Sequence, residues 1–382
     1  MATAMLSVFD HDMMRRALAL AERARLIAPP NPAVGCVLVD AAGTLIGEGF
    51  TQAVGQAHAE VMALRDAAAR GHASAGATAY VTLEPCAHQG RTGPCCDALA
   101  AAGVRRVVAA LQDPNPRVGG QGLQRLRAAG VEVALGPPAV AEAARELNLG
   151  FFSRMARGTP WVRLKAASSL DGRTALPDGR SQWITSPAAR DDGQAWRARA
   201  CAVLTGIGTV LGDDPLLNVR LPGIARQPAL VIVDSALRTP LDARLWQVAD
   251  RRVCIATAVT DEARQQPLRA RGAQLLALPG TDGRVDLAAL LARLARREIN
   301  ELHVEAGHRL NGALLRAGLV DELLLYLAPR LLGEGAGIAA LGPLGSLDEG
   351  PAFAWHGVER VGPDLRLLAR VPGRERLDEP AR

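Results

Sequence analysis

Residues 82–116 read TLEPCAHQGRTGPCCDALAAAGVRRVVAALQDPNP, and the order of signals in this stretch decides how the first part of the chain folds. The segment that leads into it, ATAYVTLEP (77–85), is rich in strand formers and stops at a proline, so it reads as a strand and its exit. CCDALAAAG (95–103) has helical composition and ends on glycine, and VRRVVAAL (104–111) is a second apolar strand. Strand, helix and strand at this spacing build a sheet covered by helices. The alternation continues in both directions. Upstream, a helix over residues 11–26 leads through APPNP to a buried strand, Val34–Val39, and HAEVMALRDAAARG (58–71) has helical spacing that stops at Gly71. Downstream come a helix (GLQRLRAAG), a strand (VEVAL) and a helical stretch from Ala139 to Phe152.

RMARGTP (154–160) then reads as a short linker, after which the alternation restarts with WVRLKAASS. Further strand signals are AVLTGIG, ALVIVDS, RRVCIATA, ELHVEAG and DELLLYLAP, with helices such as VDLAALLARLARREI between them. At ~100–200 residues per domain, a chain of 382 residues holds two. The boundary falls near Gly158, giving one domain over 1–153 and another over 159–382. Both halves are α/β.

Hydrophobic residues make up 49% and charged residues 22%, a globular balance with no apolar run long enough for a membrane span. The N-terminal segment, broken by Asp10, His11, Asp12 and an arginine pair, reads as an amphipathic helix and not as a signal peptide. The expected location is therefore cytoplasmic, with the six cysteines as ligands, core residues or free thiols. The net charge of +5 favours anionic partners, but aromatics are only 3%, too few for the stacking platforms of single-stranded nucleic acid. A small phosphorylated ligand fits better than a polynucleotide. Among 44 basic residues Lys165 is the single lysine, leaving 43 arginines. A compositional bias that spares one lysine points to a site where arginine fails.

His58 and Glu60 form H-A-E at the start of a helix, Cys86 follows Pro85, and Cys95 follows Pro94. Water-activating zinc sites take three protein ligands and leave a fourth position open, and His58, Cys86 and Cys95 meet that count. Glu60, two residues from a ligand, is placed as a proton shuttle. Metal binding brings the pKa of water from 15.7 towards ~7, producing a nucleophile for an amidine carbon. H-x-E with P-C and a later cysteine is the signature of zinc nucleobase deaminases. Cys96 competes with Cys95, since neighbours do not readily face one ion. The proline before Cys95 favours it, and Cys96 then reads as a buried helix residue. His88 reads as pocket lining, and Cys36, Cys201 and Cys254, in apolar strands, as core.

With these residues in place, residues 82–116, PNPAVGCVLV, GEGF and HAE resemble the RibD family of bifunctional riboflavin-biosynthesis proteins. The eight residues between Cys86 and Cys95 set the chain apart from cytidine and tRNA deaminases. The resemblance implies a cytidine-deaminase-like α/β/α sandwich followed by a dihydrofolate-reductase-like α/β domain. It also implies zinc-dependent removal of the 2-amino group from a diaminopyrimidinone ribosylamine 5'-phosphate. On it, His58, Cys86 and Cys95 hold one zinc ion, Glu60 is the acid/base, and Asn31 and Arg91 contact substrate, Arg91 being suited to the phosphate. Two departures stand out: Thr51 occupies the place after GEGF where the family has histidine, and Gly93 replaces a proline in R-T-G-P-C.

In the second half, Gly206 and Gly208 give G-x-G after a strand, but Leu211 stands where a dinucleotide fingerprint needs its third glycine. Backbone amides at a turn into a helix can still hold a phosphate. LKAASSLDGRTA, SQWITS, GIGTVLGDDPLLNVR, VIVDS and VEAGHRLNGALL resemble the reductase half of the same family. That implies NADPH-dependent reduction of the ribosyl group to ribityl. NADPH contacts would come from Ala167, Trp183, Thr209, Asp213 and Ser235, and from the loop Gly307, His308, Arg309, Leu310, Asn311, Gly312 and Ala313. Ser181, Arg197, Leu217, Arg220 and Glu305 would contact substrate, and Lys165 would steady charge on the sugar oxygen. Gly179-Arg180 departs from the family, which has an acidic residue before SQWIT.

The rival reading is a zinc nucleobase deaminase acting on tRNA or DNA with a C-terminal binding module. Spacer length and aromatic scarcity count against it. The expected partners are a small phosphorylated pyrimidine and a second copy of the chain as a homo-oligomer, with no nucleic acid and no membrane.

Overall fold

A computed structural model describes residues 6–89, 93–115, 118–224 and 226–377. The chain forms two compact units: the second is Gly158–Arg376, and the first comprises the residues up to Arg157 together with Leu377. No helix among the described residues is long and apolar enough to cross a membrane.

In the first unit the elements are α1 (Val8–Ala24), β1 (Gly35–Val39), β2 (Leu45–Phe50), α2 (Ala59–Ala69), β3 (Thr78–Val81) and α3 (Cys95–Ala101). They continue as β4 (Arg106–Ala109), α4 (Gln121–Ala128), β5 (Glu132–Leu135), α5 (Pro138–Leu147) and α6 (Leu149–Arg157). The sheet order is β2-β1-β3-β4-β5, with β1 antiparallel to both neighbours and β3, β4 and β5 parallel. Small residues bring the helices onto it. A Cβ added to Gly35 would lie 1.9 Å from the Ala17 carbonyl oxygen of α1. On the opposite face, one on Gly47 would lie 2.3 Å from the Ala63 oxygen and one on Gly49 2.4 Å from the Ala59 oxygen, both in α2. The sheet is thus sandwiched at backbone contact. Asp10 closes the capping box of α1 with Ser7 and also accepts from Tyr80 Oη and Arg106 Nη1, each at 2.8 Å.

LIGEGF (45–50), assigned no element from the sequence, forms β2, its glycines being what the contact with α2 demands. The linker reading of RMARG needs correction, because it is mostly helix: α6 runs to Arg157, and the chain turns out at Gly158, whose φ of 69° suits glycine.

The second unit runs β6 (Trp161–Ser169), β7 (Arg173–Ala175), α7 (Pro187–Arg199), β8 (Ala202–Gly206), α8 (Ile207–Asp213), β9 (Ala229–Val233), β10 (Val253–Thr257) and α9 (Glu262–Ala270). It ends with β11 (Gln274–Ala277), α10 (Leu287–Arg296), β12 (Glu301–Val304), α11 (His308–Arg316), β13 (Glu322–Ala328), β14 (Ala336–Gly337), β15 (Ala354–Val361) and β16 (Asp364–Arg370). Nine strands form one sheet in the order β11-β10-β9-β8-β12-β6-β13-β16-β15. It is parallel from β11 to β13, and β16 and β15 join as an antiparallel hairpin. Alternate residues of the parallel strands enter two cores: Ala202, Leu204 and Val231 on one face, Val203, Leu230 and Ile232 on the other. Burial of both faces explains the unbroken apolar runs in the sequence.

The face under α7 is different. Arg163 is buried between Glu301 (2.8 Å) and Glu322, Arg370 reaches Glu322 at 2.8 Å, and the Arg163 guanidinium stacks 4.5 Å from the Trp196 ring. Burial opposes the charge on Arg163, but the two glutamates hold its pKa above the ordinary guanidinium value.

Candidate active sites

In the first unit, His58 is the N-cap of α2 and Glu60 lies in its first turn, so the contact between Gly49 and Ala59 sets the position of both. Cys86 follows β3, and Cys95 begins α3. The three donor atoms lie within 4.8 Å of one another, with His58 Nδ1 3.6 Å from Cys86 Sγ and 3.4 Å from Cys95 Sγ. Tetrahedral zinc at ~2.3 Å from sulfur and ~2.0 Å from nitrogen separates such donors by about 3.5 Å. The donor set therefore fits zinc in both chemistry and spacing. The Cys95 backbone N–H donates to Cys86 Sγ at 3.4 Å. The hydrogen bond from the Cys95 thiol holds Cys86 down at about 4, and Cys95 rises because it gives that bond.

Glu60 is 3% exposed. Burial, helped by negative charge on Cys86 and opposed by His58, pushes its carboxyl up to about 7. That is where a proton shuttle works at neutral pH. Cys96 is buried and its thiol meets Asp97, apart from the cluster, and Cys36, Cys201 and Cys254 are buried free thiols. His88 is exposed.

Sequence reasoning passed over Glu84. Its buried carboxylate accepts backbone N–H groups from Asp113, Gly120, Gly122 and Leu123 at 2.8–3.2 Å, tying the P-C loop to the start of α4. A Cβ on Gly122 would strike the Pro85 oxygen at 1.9 Å, so that helix end rests directly on the loop. Asn148 does the same for the PNP turn, bonding Ala33 N at 2.7 Å and Ala33 O at 2.9 Å beside Asn31. Thr51 is buried, and its hydroxyl accepts from Val34 N at 3.2 Å, so it faces the strand and not open space. Arg91 lies outside the described residues.

In the second unit, β6, β12 and β8 lie side by side, and the C-terminal ends of such parallel strands are where an open α/β sheet takes its ligands. Glu305 follows the Val304–Leu164 pair and so stands beside Lys165. Arg197 clasps Glu305 with two hydrogen bonds, at 2.6 and 2.8 Å, and donates to the Asn218 carbonyl at 2.6 Å. Burial would raise Glu305, but Arg197 and Lys165 hold it below the usual carboxylate range. Lys165 is lowered by burial, against the pull of Glu305. Its ammonium lies 5.8 Å from the Tyr326 ring centre.

Gly206 and Gly307 are the N-caps of α8 and α11, and neither helix has a side-chain cap. A Cβ on Gly307 would come 4.0 Å from Thr209 Oγ1, so the two turns face each other. Open N–H groups at paired glycine turns suit a pyrophosphate, which is the fit an NADPH site requires. Ser235 follows β9, and its Oγ accepts from Val285 N at 3.1 Å. Trp183 is 62% exposed with Arg190 stacked on it at 4.5 Å. The rest of the predicted set divides. Leu310 packs on the core, Asn311 bonds the Ile338 carbonyl at 2.9 Å, and Gly312 lies against Ala340, so these turn inward while Gly307 and Arg309 are exposed. Leu217 packs its side chain into the core, leaving only its backbone for a ligand.

Residues 160–367 match the RibD C-terminal domain, and residues 7–111 match the cytidine and deoxycytidylate deaminase zinc-binding region. The chain is similar to the riboflavin biosynthesis protein RibD of Escherichia coli, 47% identical over 371 residues, covering 94% of this chain and 98% of that one. It is also similar to the solved Acinetobacter baumannii RibD, with TM-score 0.85 and 42% identity over 95% of this chain and 98% of that one. The chain belongs to the RibD family. A Thermotoga maritima structure described as a diaminohydroxyphosphoribosylaminopyrimidine deaminase/5-amino-6-(5-phosphoribosylamino)uracil reductase matches with TM-score 0.83 and 31% identity, covering 95% of this chain and 99% of that one. The protein is accordingly a bifunctional deaminase and reductase of riboflavin biosynthesis. Its first domain is a cytidine-deaminase-like zinc domain, and its second is a dihydrofolate-reductase-like domain that uses NADPH.

Proposed function

We propose that the protein deaminates 2,5-diamino-6-(5-phosphoribosylamino)pyrimidin-4(3H)-one and then reduces the ribosyl group of the product to ribityl phosphate, working in the cytoplasm. The carrying observation is the His58, Cys86 and Cys95 cluster beside Glu60, whose carboxyl is buried and pushed up by that burial. His58, Cys86 and Cys95 are the zinc ligands. Zinc held there supplies the Lewis acidity that lets water ionise near neutral pH. Glu60 takes a water proton and delivers it to the departing amino nitrogen, so that C–NH2 and water become C=O and ammonia. Asn31 and Arg91 are assigned to the substrate, Arg91 to its phosphate.

In the second domain NADPH supplies the hydride, and the turns at Gly206–Thr209 and Gly307–Arg309, with Ala167, Trp183, Asp213 and Ser235, orient it. The Lys165 ammonium donates to the sugar oxygen and steadies the charge that develops there. Ser181, Arg197, Arg220 and the Leu217 backbone hold the substrate, with Glu305 fixing Arg197 and Lys165.

A homo-oligomer is supported by the sheet face opposite α7. Leu325 and Leu327 on β13, Leu365 and Leu367 on β16, and Trp355 and Val358 on β15 share that face by register. Trp355 is 69% and Val358 58% exposed, which suits the apolar interface of a homodimer. Sedimentation of W355E as a monomer beside an oligomeric wild type is the expected result.

The test of the deaminase assignment is E60Q. It should keep one zinc per chain, lose deamination by ~10²–10⁴ and still reduce supplied deaminated substrate. Deamination near the wild-type rate would remove Glu60 from the role.

A further inference from the structure

Arg251 precedes β10 and is 9% exposed, yet among the described residues it has no carboxylate partner. Burial, together with the charge of Arg197, lowers its guanidinium to about 10. A buried cation without a counter-charge is costly unless its position is needed. Its two amino groups donate to backbone carbonyls, Nη1 to Leu216 and Nη2 to Leu245, and Nε has no partner.

Leu216 lies in the turn from Asp213 to Arg220. Asp214 and Leu217 there have φ of 41° and 49°, in the left-handed region that residues with a side chain rarely adopt. Such a turn persists only if its surroundings hold it. The Asp214 carboxylate accepts Arg244 N at 2.8 Å, Arg197 bonds the Asn218 carbonyl at 2.6 Å, and Gln194 accepts Arg220 N at 3.0 Å. Arg251 supplies the hold at Leu216, one of the two residues between the strained positions. It also adds positive charge near Arg197, where an anionic substrate gains from it.

We propose that Arg251 is a positioning residue of the reductase site, which fixes the Asp213–Arg220 turn through Leu216 so that Leu217 and Arg220 meet the phosphorylated substrate. This rests on the assignment of Leu217 and Arg220 to the substrate. The experiment uses the full-length, zinc-loaded protein and follows NADPH oxidation with the deaminated pyrimidine ribosylamine phosphate as substrate. R251M should raise the reductase KM for that substrate about tenfold, with kcat within about threefold and deamination unchanged. R251K, with a compact head that reaches one carbonyl and not two, should raise it about threefold. A wild-type KM in either variant overturns the proposal, and so does a fall in Tm with KM unmoved. R251K also decides the matter should R251M fail to fold. R220A is the separate control: an unchanged KM there would refute the substrate assignment itself, whatever Arg251 does.

Discussion

Placing one methyl group on Gly49 should disable the first active site from behind. The added Cβ would lie 2.4 Å from both the Ala59 carbonyl oxygen and the Ala63 nitrogen, and 2.6 Å from Met62 Cβ. Non-bonded atoms settle at about 3.5–4.0 Å, so α2 has to retreat by roughly 1 Å in G49A. Backbone atoms of a helix cannot swing aside as a side-chain tip can, and Ala59 stands between His58 and Glu60. Both residues therefore move with the helix. Overpacking of this kind costs about 1–3 kcal/mol of stability. A displacement of about 1 Å at a reacting group costs on the order of 10²-fold in rate. Deaminase kcat/KM should fall by about that factor, while NADPH oxidation on supplied deaminated substrate, read in the same preparation, stays at the wild-type value. Zinc content measured alongside separates a displaced His58 from a displaced Glu60. Full deamination by a folded G49A protein would refute the claim that this close approach positions the site.

Three further outcomes follow from single contacts. K165R should lose at least about tenfold of reductase activity with deamination intact, because a planar fork cannot replace a compact ammonium beside Glu305. D10N should lower stability by about 1–3 kcal/mol at pH 7 in urea titrations. Burial would raise Asp10, but hydrogen bonds from Ser7, Tyr80 and Arg106 bring it to about 2, so its stabilisation is complete above about pH 4 and is lost as pH falls towards 2. The gap between wild type and D10N should close over that range, and a constant gap would contradict the pairing. T51V should cost about 1–3 kcal/mol by leaving Val34 N without its acceptor, with the deaminase KM unmoved.

Strands buried on both faces were legible because burial forces an unbroken apolar run, as in Leu230–Val233 and Val253–Ala256. The elements that escaped lack that cause. β2 is built from LIGEGF, where glycines that look like turn residues serve contacts with a helix further along the chain, Gly49 with Ala59 and Gly47 with Ala63. β15, AWHGVERV, is an edge strand with six of its eight residues exposed, so nothing constrains it to alternate. Thr51 was legible as a departure from the family pattern, but its inward hydrogen bond to Val34 depends on where β1 and β2 end, which no local pattern encodes.

The two sites differ in how much the sequence could disclose. His58, Glu60, Cys86 and Cys95 could be picked out because zinc chemistry restricts the residue types at each place, so four side chains carry the signal alone. The reductase site has no such restriction: hydride transfer comes from the cofactor, and the protein supplies orientation and charge. Its charges are assembled by strand register. Lys165 meets Glu305 because β6 pairs with β12, and Arg163 on the same strand meets Glu322 because β6 also pairs with β13. Arg163 tolerates complete burial since two glutamates face it, whereas Lys165 has, among the described residues, Glu305 as its carboxylate neighbour and shares it with Arg197. A second fixed guanidinium there would compete with Arg197 for the same two oxygens. On the role proposed for Lys165, an ammonium, lowered by burial and only partly compensated, would keep donors for the substrate, and that would give a physical reason for one lysine to persist among 43 arginines.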